Sequence, residues 1–160
     1  MIESLNAIRS LELPPVVEDL YFGRPVPADL QIYLKYPSEF HNLSLEDCRM
    51  LTTGGLIPIL SDGNFSDIYC FDPSRSKLVI KSTEEPGKIQ REFDSWQHFL
   101  GYKLLEIADS GASNDELVAV ADAMGFIHTA ELVSVLHRME ALSDDDSQQL
   151  AEQFIQACAG

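Results

Sequence analysis

The chain has 160 residues and a mass of 17.8 kDa, a size that suits one domain or one domain with an appendage. Apolar residues make up 45% of it, which excludes a chain that is disordered throughout. The 26 acidic and 11 basic residues give a formal charge of −15. This charge argues against nucleic acid and anionic membranes as ligands, because both require a basic protein surface.

The N-terminal region predicts three helices. Ile2, Leu5 and Ile8 recur at helical spacing in a first helix over residues 2–11, which stops at the prolines of positions 14 and 15. A second helix is predicted to begin at Pro27, since proline suits a first helical turn, and to end before Pro37. A third, short helix is expected after Ser44, a residue type that caps helices.

The pattern then changes to that of a sheet. Short apolar runs over residues 56–60, 68–71 and 78–80 predict three strands, separated by turn sequences rich in Asp, Gly and Pro. A further turn is expected over residues 84–88. Pro58 has no amide hydrogen to donate, so an edge strand or a bulge is predicted there. Consecutive strands with short turns predict an antiparallel meander.

From Asp94 onward the apolar spacing is helical again. A helix with Trp96 on its apolar stripe is predicted first, with Gly101 as a weakness within it. Three shorter helices are predicted to follow, beginning near Ser113, Thr129 and Ser143. We therefore predict an α+β fold, with an antiparallel sheet flanked by helices over residues 1–111 and an acidic helical extension over residues 112–160.

The acidic charge is concentrated near the C-terminus. Residues 104–160 contain 11 acids and one base, Arg138, so they carry −10 of the total charge. The three consecutive aspartates from Asp144 to Asp146 lie at a predicted helix start, where negative charges interact favourably with the helix dipole. They also form a candidate docking surface for a basic partner.

The sequence gives no pattern for catalysis, a metal or a cofactor. The turn from Asp62 to Pro73 lacks the glycine and glutamate of a calcium-binding EF-hand loop. The four histidines fall on separate predicted elements, at positions 41, 98, 128 and 137, and none forms a zinc-type pair. An enzyme would need an acid and a base converging in a pocket. We predict no catalytic residues, no metal and no cofactor.

The location is predicted from the cysteines and the apolar runs. Cys48, Cys70 and Cys158 are odd in number and far apart, which is typical of reduced thiols in a cytoplasmic protein. The N-terminus lacks the basic region and apolar run of a secretion signal, and no run is long enough to cross a membrane. We expect a cytoplasmic monomer or homodimer.

The stretch LIPILSDGNFSDIYCFDP, residues 56–73, resembles the central hairpin of the SUKH superfamily. The proline-led helix at Pro27, the strand over residues 78–80 and the aromatic helix around Trp96 resemble the elements that flank that hairpin in the family. The resemblance covers residues 13–108. The chain departs from the family in two ways. It has Asn-Phe-Ser-Asp after the turn, where members of the family often have Gly-Asp, and it continues into an acidic tail that is not part of the usual family core.

The resemblance implies a binding protein rather than an enzyme. Bacterial SUKH members are immunity proteins that bind and neutralise toxin domains, often nucleases or deaminases. An acidic inhibitor suits a basic toxin, because complementary charge accelerates association. The alternative is an intracellular regulatory or scaffold module with no toxin partner. In the alternative, the last predicted helix, with Phe154 and Ile155, would form the interface. For the immunity protein the candidate contact residues are carboxylates: Asp62, Asp67, Asp72, Glu84, Glu85, Asp144, Asp145 and Asp146.

Overall fold

The computed structural model describes residues 2–160 and has the predicted α+β architecture. Within the described residues it contains eight α-helices and one five-stranded antiparallel sheet. The chain forms two compact units, one ending at Phe93 and the other beginning at Asp94. The sequence predicts this boundary between residues 111 and 112. In the structure the long helix that begins at Trp96 belongs to the second unit, with the C-terminal helices.

The helices of the first unit begin with α1 (Ile2–Ser10) and α2 (Pro15–Phe22). The helix α2 was not predicted from the sequence, because the prolines at positions 14 and 15 indicate the end of α1. Pro15 in fact occupies the first turn of α2, where the missing amide hydrogen costs nothing. Next come α3 (Ala28–Tyr33), a 3₁₀ turn (Ser38–Asn42) and α4 (Leu45–Leu51).

The sheet has its strands in sequence order. They are β1 (Leu34–Lys35), β2 (Ile57–Asp62), β3 (Asp67–Asp72), β4 (Lys77–Ser82) and β5 (Ile89–Phe93). The three central strands and the meander confirm the sequence prediction. The two outer strands were missed. β1 has only two residues, and the polar residues of β5 give a weak apolar pattern.

The bulge predicted at Pro58 is present. The register between β2 and β3 shifts between Pro58 and Leu60. β1 pairs only with Ser61 and Asp62, at the far end of β2. No hydrogen bond to β1 is therefore required from Pro58. Pro58 is therefore tolerated in a strand that is internal to the sheet for only part of its length.

One face of the sheet supports the core of the first unit. Ile68, Cys70 and Val79 alternate with side chains of the opposite face and pack with Leu51 of α4 and Leu56. Four of these five side chains are at most 1% exposed, and the fifth, that of Leu56, is 5% exposed. The short helix α4 is thus held by its apolar side against the meander.

The second unit consists of α5 (Trp96–Asp109), α6 (Asn114–Ala123), α7 (Thr129–Met139) and α8 (Asp144–Ala157). The helix starts predicted at Ser113 and Ser143 are confirmed. Ser113 and Glu116 form a reciprocal capping box, and the Ser143 hydroxyl accepts the amide hydrogen of Asp146. Each cap satisfies amides that would otherwise lack partners at a helix start.

The first turn of α5 holds the connection between α6 and α7. The indole nitrogen of Trp96 donates to the carbonyl of Met124 at 3.0 Å. The amide group of Gln97 donates to the carbonyl of Gly125 at 2.8 Å and accepts from the backbone of Ile127 at 3.1 Å. Three hydrogen bonds therefore fix this loop, and Trp96 serves packing and loop attachment together.

Gly101 lets α5 and α8 approach closely. A Cβ atom at this position would lie 2.9 Å from the sulfur of Cys158 and 3.1 Å from its Cβ, inside ordinary van der Waals distance. By its helix propensity alone this glycine is only a weakness in α5. Its missing side chain is instead what permits α8 to pack on α5.

We predict that Gly101→Ala lowers the stability of the second unit although alanine is the better helix former. Alanine gains about 1 kcal/mol of helix propensity, but overpacking against Cys158 costs roughly 1–3 kcal/mol. Urea unfolding measured by circular dichroism gives the difference.

The matched control is Gly87→Ala, whose Cβ would meet only the end of the flexible Met50 side chain at 3.5 Å. This control should unfold at nearly the native urea concentration. Removing the sulfur with Cys158→Ala should recover part of the loss in the Gly101→Ala background. A Gly101→Ala protein more stable than the native chain would contradict the close approach.

Within residues 2–160, the structure contains no helix both long and apolar enough to cross a bilayer.

Candidate functional site

Four of the predicted contact carboxylates lie at one end of the meander. Asp62 and Asp67 flank the turn between β2 and β3, and Glu84 and Glu85 lie in the turn between β4 and β5. Thr83 joins the two turns, since its backbone amide and its hydroxyl both donate to the carbonyl of Ser66, at 2.8 and 3.0 Å. The fold thus brings together acids that are up to 23 residues apart in sequence.

The turn between β2 and β3 is organised by its own aspartate. One carboxylate oxygen of Asp62 accepts the backbone amides of Ser66 at 2.7 Å and of Asp67 at 3.1 Å. Gly63 seats the turn against α3, because a Cβ at this position would overlap the carbonyl oxygen of Ile32. Asp62 is therefore half-buried and shapes the turn, so less of its carboxylate is available to a partner.

The turn between β4 and β5 presents its acids to solvent. Glu84 and Glu85 are both exposed. A hydrogen bond from the Gln90 amide, with the charge of Lys88 3.7 Å away, holds the pKa of Glu85 below its usual range. The ionised form of Glu85 is therefore favoured by these neighbours.

Asp72 lies at the opposite end of the sheet and is only 4% exposed. Its carboxylate accepts the hydroxyl of Ser74 at 2.6 Å and the Nε of Arg75 at 2.7 Å. Arg75 also contacts Glu92 of β5 at 2.6 Å, so the turn after β3 is joined to the sheet edge. The structure places Asp72 in a turn-stabilising network, away from the other candidate acids.

These hydrogen bonds, first from Ser74 and then from Arg75, lower the pKa of Asp72 from 3.8 to about 2. Because the folded-state pKa lies below the unfolded value, its stabilisation is present above about pH 4 and is lost as the pH falls towards 2. We predict that Asp72→Asn destabilises the protein by ~1–2 kcal/mol at pH 7. Urea unfolding of both proteins at pH 7 and pH 2.5 tests this.

The gap in unfolding free energy between the native chain and Asp72→Asn should narrow at the lower pH. Glu84→Gln is the matched control, because it also removes one meander carboxylate, from an exposed position. A gap for Asp72→Asn that is equal at both pH values would contradict the role of its ionised carboxylate.

The remaining three candidates, Asp144, Asp145 and Asp146, occupy the first turn of α8 and are all exposed. Asp146 also takes part in the helix start, since the hydroxyl of Ser143 lies 2.8 Å from its carboxylate. Asp144 and Asp145 have no such contact in the described part of the chain. Asp144 and Asp145 thus differ from Asp146 in taking no part in the cap of α8.

The surface of the second unit is almost entirely negative. Residues 94–160 contain 12 acids and two bases. Ten of the acids are exposed. Lys103, in contrast, is buried, and its ammonium group donates a hydrogen bond to the carboxylate of Glu106 at 2.6 Å. Arg138 is therefore the single exposed cation among residues 94–160, all of which the structure describes. The three aspartates are part of a wider acidic surface that the sequence pattern alone did not delimit.

A cleft of about 390 Å³ in the first unit was not anticipated from the sequence. Glu3, Tyr36 and His41 contribute polar groups to it, and Phe40 and Pro58 contribute apolar surface. Burial raises the pKa of the Tyr36 phenol. Among the described residues, no three His, Cys, Asp or Glu side chains are grouped for binding a metal ion.

The three thiols differ in accessibility. Burial raises the pKa of Cys70 to about 12 and that of Cys158 to about 11, whereas Cys48 is half-buried. We predict that Cys48, the most accessible thiol, reacts faster with a thiol reagent at pH 8 than the other two, because Cys70 and Cys158 are buried and their raised pKa values leave them little of the nucleophilic thiolate.

Absorbance after adding a disulfide reagent should show one fast thiol in the native protein and three in denaturant. The Cys48→Ser variant should lack the fast phase. A fast phase that persists in Cys48→Ser would show that a buried thiol becomes exposed.

Comparison with protein-family models, with curated proteins and with solved structures finds no match for this chain.

Proposed function

We propose that this chain is a non-enzymatic binding protein that neutralises a basic toxin domain, in the manner of the SUKH immunity proteins that its sequence resembles. The observation that carries the proposal is the acidic surface of the second unit, on which ten carboxylates and only one cation are exposed. A toxin that acts on nucleic acid needs a basic cleft to hold the phosphate backbone. An acidic surface is complementary to such a cleft.

The charge distribution supports a binding role by its effect on association. A concentrated negative surface steers a basic partner during diffusion and raises the association rate. Most of the carboxylates on residues 94–160 have no cation beside them, so their field extends into solvent. Screening by salt weakens this field over about 8–10 Å at physiological ionic strength.

The acidic end of the meander supports the same role in the first unit. Glu84 and Glu85 are exposed beside the turn that Asp62 organises. Asp72 contributes to the stability of the sheet instead, since its carboxylate already has partners from Ser74 and Arg75. Of the eight candidate carboxylates, the proposed contacts are therefore Glu84, Glu85, Asp144 and Asp145.

The test is co-expression with a toxin encoded beside this gene. The native chain should restore growth and form a purified complex, and complex formation should slow as salt rises. Asp144→Asn with Asp145→Asn should reduce the association rate by a factor of roughly 2–10, most strongly at low salt. Surface plasmon resonance at two ionic strengths measures this.

The matched control is Asp115→Asn, which removes an exposed acid from the first turn of another helix in the same unit. Its association rate should fall by less than that of the double variant, because Asp115 adds to the long-range field but lies outside the proposed contact set. Loss of a first-turn acid costs about 0.3–1 kcal/mol of helix stability, so each variant is checked for an unchanged fold. A chain that forms no complex, or forms one indifferent to salt and to these changes, would overturn the proposal.

A further inference from the structure

The helices α7 and α8 form an apolar groove on the most acidic part of the chain. The groove has a volume of about 500 Å³. Val135 and Phe154 form its floor and are 8% and 7% exposed, and Leu150 is half-buried beside them. Ala130 is exposed at one end and leaves that end open.

The length of the groove suits a helix. Its α7 wall extends from Ala130 to Arg138, a distance of about 12 Å at 1.5 Å per residue, or roughly two helical turns. A helix that docks in such a groove inserts apolar side chains spaced three and four residues apart. The floor, with Leu150 beside it, offers one aromatic and two aliphatic side chains for these anchors.

The charges around the groove identify the kind of helix. Glu131 lies on the α7 wall near the C-terminal end of α8, since its charge acts on Cys158. Asp146 precedes Leu150 by four residues and so lies on the same side of α8, one turn beyond the groove. Carboxylates therefore stand towards both ends of the apolar floor.

We propose that this groove binds an amphipathic helix whose polar side is basic. The inference rests on the proposed function and adds to it the contact site and the partner's chemistry. Apolar anchors in the groove would supply affinity, and lysine or arginine side chains beside them would meet the surrounding carboxylates. A second copy of this chain is a poor occupant, because docking would bring together two units that each carry a net charge of −10.

Arg138 has a distinct role in this arrangement. It lines the groove and is the one exposed cation of residues 94–160. A basic helix is repelled by this guanidinium unless it presents an acid there. Arg138 therefore selects the position and direction of the docked helix, since only one orientation brings an acidic side chain to it.

The experiment uses the full chain and two synthetic peptides of about 15 residues, which is near the length needed for a helix to form. Both contain the same leucines and lysines. In the first, the leucines form one helical stripe, and in the second they are dispersed around the helix. Fluorescence anisotropy at low and physiological salt measures the dissociation constants.

The striped peptide should bind roughly tenfold or more tightly than the dispersed peptide. Ala130→Trp fills the open end of the groove and should weaken binding of the striped peptide by about tenfold. Ala119→Trp, at an exposed alanine of α6 in the same unit, is the matched control and should leave binding within about twofold. Circular dichroism verifies that both variants retain the native helix content.

Arg138→Glu provides a test by gain of binding. Replacing the cation with an acid should tighten binding of the striped peptide by roughly threefold or more at low salt, and less at high salt. Chemical-shift changes on adding the peptide should be centred on residues 130–138 and 150–154.

The outcomes separate the groove from the acidic surface. If both peptides bind alike and Ala130→Trp has no effect, the groove proposal is overturned while binding to the acidic surface remains supported. If neither peptide binds even at low salt, the groove proposal is overturned, while the proposed function is decided separately by the complex with the toxin and its salt dependence. If sedimentation shows a dimer that Ala130→Trp dissociates, the occupant is a second copy and the basic-helix proposal is overturned.

Discussion

Burial of the apolar sides of short helices holds together a unit whose surface charges repel one another. Among residues 94–160, α6, α7 and α8 each place their buried residues on one side, and α5 contacts all three. The close approach at Gly101 allows α8 to join this packing. Because the apolar sides face inward, nearly all the carboxylates face outward. The acidic surface is thus a direct consequence of how the unit is packed.

The carboxylates of the chain fall into two groups, those that stabilise the fold and those that remain exposed, and their contacts distinguish the two. Asp72 accepts hydrogen bonds from Ser74 and Arg75 that tie the turn after β3 together, and the same bonds lower the pKa of its carboxyl group. Asp144 and Asp145 are exposed and remain accessible to a partner. Charge alone does not separate these roles, because a carboxylate that already has its hydrogen bonds contributes less to recognition. The proposed function depends on the exposed carboxylates.

Much of the fold was predictable because local patterns encode it. Apolar alternation and turn sequences indicated the three central strands, and the caps at Ser113 and Ser143 indicated helix starts. The helix α2 was missed because Pro15 starts a helix as readily as a proline ends one. The strand β5 was not predicted because its sequence, IQREF, has a weak apolar pattern. Its place in the sheet follows from pairing with β4, which is a tertiary contact.

The sequence by itself determined the fold class, the acidic excess and its concentration near the C-terminus, because composition and local periodicity need no tertiary contacts. Only the tertiary structure decided which acids are accessible, since hydrogen bonding and burial depend on neighbours distant in sequence. It also decided the groove, where Val135 from α7 and Phe154 from α8 become one floor. No local pattern joins two such residues, because their proximity follows from the packing of the two helices.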